Sequence, residues 1–158
     1  MKEMTEPVRR LFRELEAARV KYAVIGRTAA VFFGVDVMTY DVDIILDRPV
    51  SNVKRLYRAL LKLKAVDRMP STREIELFLS EKVTRFRVGL FVLDVLKWQD
   101  GFPKSAWKRV RKKRYGGVLF CVAHLHDLIE TKSQTGRPKD ASDVRRLKKI
   151  LESSENHP

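Results

Sequence analysis

One cysteine, three histidines and no long apolar run limit what this 158-residue chain can be. A lone thiol, Cys121, cannot close an internal disulfide. In the apolar run "VLFCVA" it has no neighbouring metal ligand and reads as a small core residue. His124 and His126 form His-x-His, but with no cysteine or third histidine nearby the pair marks a helix start better than a zinc site. No uninterrupted apolar stretch approaches the ~20 residues of a membrane span, and "MKEMTEPVRR" is no secretory leader, so no membrane partner and a cytoplasmic location are expected. Acids are scarce too. Twenty Asp and Glu face 33 Lys and Arg, a net charge of +13 that attracts phosphate-bearing partners unless it is a lysine-rich solvated surface.

What is present suits one globular domain, 44% apolar and 34% charged. Thr5-Glu6-Pro7 opens a helix carrying Val8, Leu11, Phe12 and Leu15 at helical spacing. "KYAVIG" reads as a buried strand ending at Gly26, "RTAAVFFG" as a short helix and "TYDVDIIL" as a second strand. Ser51 can cap a helix with Val53, Leu56, Tyr57, Leu60 and Leu61 on one stripe. "EIELFLS" and "TRFRVGLFVLDVLKW" read as strands with a turn near Glu81-Lys82, and Gly116-Gly117 as a hairpin turn. From about His124 two helices follow, broken at Gly136-Arg137-Pro138. The expected fold class is α/β (α+β): a mixed β-sheet covered by helices, with a core over residues 1–122, a helical C-terminal segment over 123–152 packed on it, and a frayed tail over 153–158.

The chemistry sits in "YDVDIILD". Successive strand residues alternate faces, so Asp41 and Asp43 share one, their Cα atoms about 7 Å apart. Carboxylates are rarely buried together unless something positive holds them. Asp94, in "LFVLDVL", is another lone acid in an apolar strand; if the two strands are neighbours, three carboxylates converge. Such a set suits Mg²⁺ or Mn²⁺, and a two-ion clamp of that kind activates a hydroxyl and stabilises a leaving pyrophosphate. Gly26 lets backbone approach closely at a helix N-terminus, where free N–H groups favour phosphate. Asp47 reads as a strand terminator.

With these residues the sequence resembles the DNA polymerase beta-type nucleotidyltransferases, which share a Gly-Gly or Gly-Ser turn, an Asp-x-Asp or Asp-x-Glu strand, and a third acid on a later strand. It is most similar to the abortive-infection and toxin-type branch. Gly26, Ala29, Gly34, Thr39, Asp41 and Asp43 match one segment; Lys132, Arg137, Lys139, Asp140 and Asp143 match a later one in order. Two positions depart from the pattern: Arg27 stands at the second turn residue, and Val37 where an Arg is usual.

The resemblance implies a nucleotidyltransferase fold and transfer of an NMP group from an Mg-bound NTP to an acceptor hydroxyl. Asp41, Asp43 and Asp94 are then catalytic and metal-binding, and Gly26, Arg27, Thr28 and Lys132 nucleotide-binding. Asp140 either joins them or caps the last helix. Lys104 to Arg114 carries seven basic residues and no acid, with Trp107 inside. It reads as a nucleic-acid contact through Lys108, Arg109, Arg111, Lys112, Lys113 and Arg114, or as a solvated basic edge. RNA or tRNA is the acceptor this suggests, and a cognate antitoxin the protein partner. The alternative is a catalytically lapsed module of the same fold that binds nucleic acid or a partner protein. Phe32, Phe33, Trp98 and Trp107 are read as packing residues first.

Overall fold

The computed structural model describes residues 4–26, 28–29, 41–97, 101–133 and 138–156. The expected helix over "RTAAVFFG" lies almost wholly outside them, as do Arg27, Phe32, Phe33, Gly34, Val37, Thr39, Trp98 and Arg137. Among the described residues the order is α1 (Glu6–Ala17), β1 (Tyr22–Ile25), β2 (Asp41–Leu46), α2 (Val50–Lys62), α3 (Thr72–Ser80), β3 (Val83–Val88), β4 (Phe91–Leu96), α4 (Lys104–Arg109), β5 (Arg111–Tyr115), β6 (Val118–Val122), α5 (Leu125–Ser133) and α6 (Pro138–Asn156).

The strands form one mixed sheet in the order β3-β4-β2-β1-β6-β5. β2 runs antiparallel to β1 and parallel to β4, which is paired antiparallel with β3; β1 and β6 are parallel, and β5 and β6 form an antiparallel hairpin. Paired residues share a face, so Val42, Ile44, Leu93 and Val95 line one side, all buried. Phe12 of α1 packs on Tyr22 and Phe120, and Tyr57 of α2 and Phe78 of α3 meet Phe86 of β3. This aromatic and aliphatic layer is the core. The opposite side carries the acids.

Two sequence expectations are corrected. "EIELFLS" is helical, not extended. Ser71 accepts from the Glu74 N–H at 3.2 Å while the Glu74 carboxylate reaches back to the Ser71 N–H, a reciprocal cap that fixes the helix start. Only Ile75 and Phe78, three apart, are buried there. "TRFRVGLFVLDVLKW" is not one strand but the hairpin β3–β4, turning through Gly89 (φ +61°) and Leu90. Elsewhere, Pro49 rather than Ser51 precedes α2 at its cap position. Gly116 and Gly117, both at positive φ, make the expected two-residue turn between β5 and β6. Helix α6 runs to Asn156, into the segment expected to fray.

Candidate active site

Parallel pairing of β2 with β4 sets Asp43 directly beside Asp94, about 5 Å away from Cα to Cα, with Asp41 one alternation up the strand. All three carboxylates therefore rise from one sheet face at one end. Ile25 pairs with Asp43 across β1, which brings Gly26 to the same place. Gly26 has φ +67°, and a Cβ there would lie 2.5 Å from Asp43 Oδ2 and 3.1 Å from its Cγ. The positive φ favours glycine here, and the Asp43 carboxylate takes the space a side chain would need. Thr28 donates its hydroxyl to the Asp41 carbonyl at 2.9 Å and so ties this turn to β2.

Asp43 carries the electrostatic load. Burial, then the charges of Asp94 and Asp41, push its carboxyl up to about 6, partly offset by Lys132 and Arg85. Asp94 is nearly covered, and both of its oxygens are taken. Arg85, its neighbour on β3, donates Nε to Oδ1 at 2.9 Å and Nη2 to Oδ2 at 3.1 Å. This fork is the feature the sequence reading missed, because it ran β3 and β4 together.

Lys132, on α5, is buried between two acids of α6, with Nζ 3.1 Å from Asp143 Oδ2 and 3.7 Å from Asp140 Oδ1. Its charge still reaches Asp43. Asp140 is therefore deeply buried against Lys132, beyond the simple cap that its position in the first turn of α6 allows. His124 accepts from the His126 N–H through Nδ1 at 3.0 Å, the helix start expected of that pair.

Three hard oxygen donors on one face suit a divalent cation. As they stand, no three His, Cys, Asp or Glu side chains among the described residues form a group that could hold a metal ion, and both Asp94 oxygens accept from Arg85. The donor set of Asp41, Asp43 and Asp94 is of the kind a hard divalent cation takes.

The basic segment divides between α4 and the edge strand β5. Arg109 forks onto buried Asp127 at 2.8 and 2.6 Å, and Lys112 meets Glu16 at 3.1 Å. Lys108, Arg111, Lys113 and Arg114 are exposed. Two clefts, of about 380 and 250 Å³, share Trp107 as a wall and lie toward the Tyr22 and Leu46 end of the sheet, away from the carboxylates. Trp107 packs edge-on against Phe102 with Lys21 over its ring.

No family model matches the sequence, and no curated protein matches it. Among solved structures, a candidate nucleotidyltransferase from Thermotoga maritima superposes with a TM-score of 0.60 at 20% identity, over 91% of this chain and 94% of that one. An antigenic nucleotidyltransferase-like protein from Paracoccidioides brasiliensis gives 0.60 at 16% identity, over 91% of this chain and 73% of its own. The fold is that of a nucleotidyltransferase. The six-stranded mixed sheet meets the expectation from sequence. Within the nucleotidyltransferase fold of this chain, β2 and β4 carry the acids and the β1 end carries Gly26. Among the described residues no helix is long and apolar enough to cross a membrane.

Proposed function

We propose that the chain is a nucleotidyltransferase that passes an NMP group from an NTP to an acceptor hydroxyl. The acceptor oxygen forms a bond to the α-phosphorus and gives up its proton, while the bond from that phosphorus to the β-phosphate bridging oxygen breaks and pyrophosphate leaves. The observation that carries this reading is the Asp43–Asp94 register, which gathers three acids beside Gly26. Asp41 and Asp43 would hold Mg²⁺ or Mn²⁺, with Asp94 as the third ligand once Arg85 lets go. Bound metal would polarise the phosphate and lower the pKa of the acceptor hydroxyl. In this reading Asp94 would take the hydroxyl proton, and Gly26, Arg27, Thr28 and Lys132 would orient the triphosphate, with Asp140 3.7 Å from the Lys132 ammonium.

RNA, tRNA included, is the acceptor class we favour. The exposed cations of α4 and β5 supply sequence-independent phosphate contacts. A toxin-type role, with a cognate antitoxin as partner, rests on the ordered sequence match at Lys132, Arg137, Lys139, Asp140 and Asp143. A second reading has its own support. Arg85 neutralises Asp94, as expected of a lapsed site kept for binding alone.

The readings separate in one assay: each labelled NTP with Mg²⁺ or Mn²⁺ and total RNA, beside an Asp43→Ala variant. Metal-dependent label transfer that the variant loses supports the enzyme. No transfer to RNA, protein or small acceptors, and no metal-dependent NTP binding, leaves the lapsed module.

A further inference from the structure

The Arg85 fork sits at the centre of the candidate site, and the reading above asks of it only that it release Asp94. Arg85 lies on the edge strand β3, its side chain 66% exposed, whereas Asp94 is only 12% exposed. An arginine reaching inward from solvent can leave without unpacking the core. Its positive field extends beyond its partner, and Asp41 and Asp43 both act on it. Arg85 is thus the direct counter-ion of Asp94, holding both of its oxygens, and shares with Lys132 the offsetting of Asp43.

From this placement we propose that Arg85 selects what the site binds: it rejects a bare divalent cation and favours the metal–triphosphate complex. The inference rests on the nucleotidyltransferase reading and deepens it. The reasoning is in charge. A bare cation must displace a guanidinium to reach Asp94, and until it does so it meets a cluster already partly neutralised. A metal–triphosphate carries net negative charge, which three uncompensated carboxylates would repel. Arg85 removes part of that repulsion, and after release from Asp94 its five donors suit phosphate oxygens. Removing Arg85 is therefore expected to move the two affinities in opposite directions, and Arg85→Lys, which keeps the charge and loses the fork, separates the part of the fork from that of the charge.

The test measures Mn²⁺ binding by calorimetry and by electron paramagnetic resonance of the free ion. It is run with and without a non-hydrolysable NTP analogue, on the native chain, Arg85→Gln and Arg85→Lys. Arg85→Gln is expected to bind Mn²⁺ alone at least about fivefold more tightly and the Mn²⁺–analogue complex at least about fivefold more weakly. Arg85→Lys keeps the charge without the fork and is expected to fall between. Thermal unfolding of each variant checks that the fold is intact, which the exposure of Arg85 favours.

If both affinities move the same way, or neither moves, the selection role is wrong while the nucleotidyltransferase reading stands. If the native chain binds neither Mn²⁺ nor its nucleotide complex, and Arg85→Gln does not restore either, both fail together.

Discussion

Gly26→Ala is the sharpest probe of how the fold holds its carboxylates, because two separable costs meet at one position. The first is backbone strain: at φ +67° an L side chain costs about 1–2 kcal/mol over glycine. The second is steric, since the new Cβ would fall 2.5 Å from Asp43 Oδ2, 3.1 Å from Cγ and 3.2 Å from Cβ. Overpacking of this kind costs about 1–3 kcal/mol, so the total loss should be roughly 2–5 kcal/mol. A double-mutant cycle with Asp43→Ala divides it. Removing the carboxylate clears the two nearest atoms and leaves the strain, so in that background Gly26→Ala should cost only about 1–2 kcal/mol, a coupling of about 1–3 kcal/mol. Urea unfolding of the four proteins at constant m-value reads each difference. An equal cost in both backgrounds, or a loss below about 1 kcal/mol in the native one, would show that Gly26 is not there to make room for Asp43.

The other expectations come from groups nearby. A carboxyl at about 6 in the fold and near 3.8 when free binds its proton more tightly when folded, so stability is lost as pH rises through about 6. In metal-free buffer Asp43→Asn should gain about 2–3 kcal/mol over the native chain at pH 7.5 and nothing near pH 3, read by urea melts across pH. Lys132→Met removes the buried cation beside Asp140 and Asp143 and should cost about 3–5 kcal/mol; adding Asp143→Asn should return part of it. Ser71→Ala removes half of the reciprocal cap on α3 and should cost about 1 kcal/mol in a melt. Lys113→Glu with Arg114→Glu should weaken RNA binding and flatten its salt dependence by up to about two phosphate contacts, measured by filter binding at several salt concentrations. An unchanged slope would detach β5 from the acceptor.

Why the carboxylates were legible and Arg85 was not has a physical answer. Asp41, Asp43 and Asp94 announce themselves because each is costly in an apolar strand. That cost is a property of the residue and its immediate neighbours, visible without knowing the pairing. Gly26 was visible as a break after a short apolar run, though the Asp43 carboxylate that crowds it lies 17 positions away. Helix α3 was misread because "EIELFLS" alternates apolar and polar as a strand does. The deciding signal, Ser71 followed three residues later by Glu74, begins before that run and ends on its first residue. Arg85 illustrates the deeper limit. In a run of alternating Arg and apolar residues it looks like an ordinary solvent-facing strand residue, and it remains one until Gly89 folds β3 back on β4. Only that two-residue turn sets the register in which position 85 opposes position 94; a slip of one residue would turn Arg85 to the other face. Costly residues can thus be found one at a time, but the cation that offsets them is chosen by register. In a charged cluster built across three strands, the small turn between β3 and β4 thus places the cation as surely as the strands place the acids.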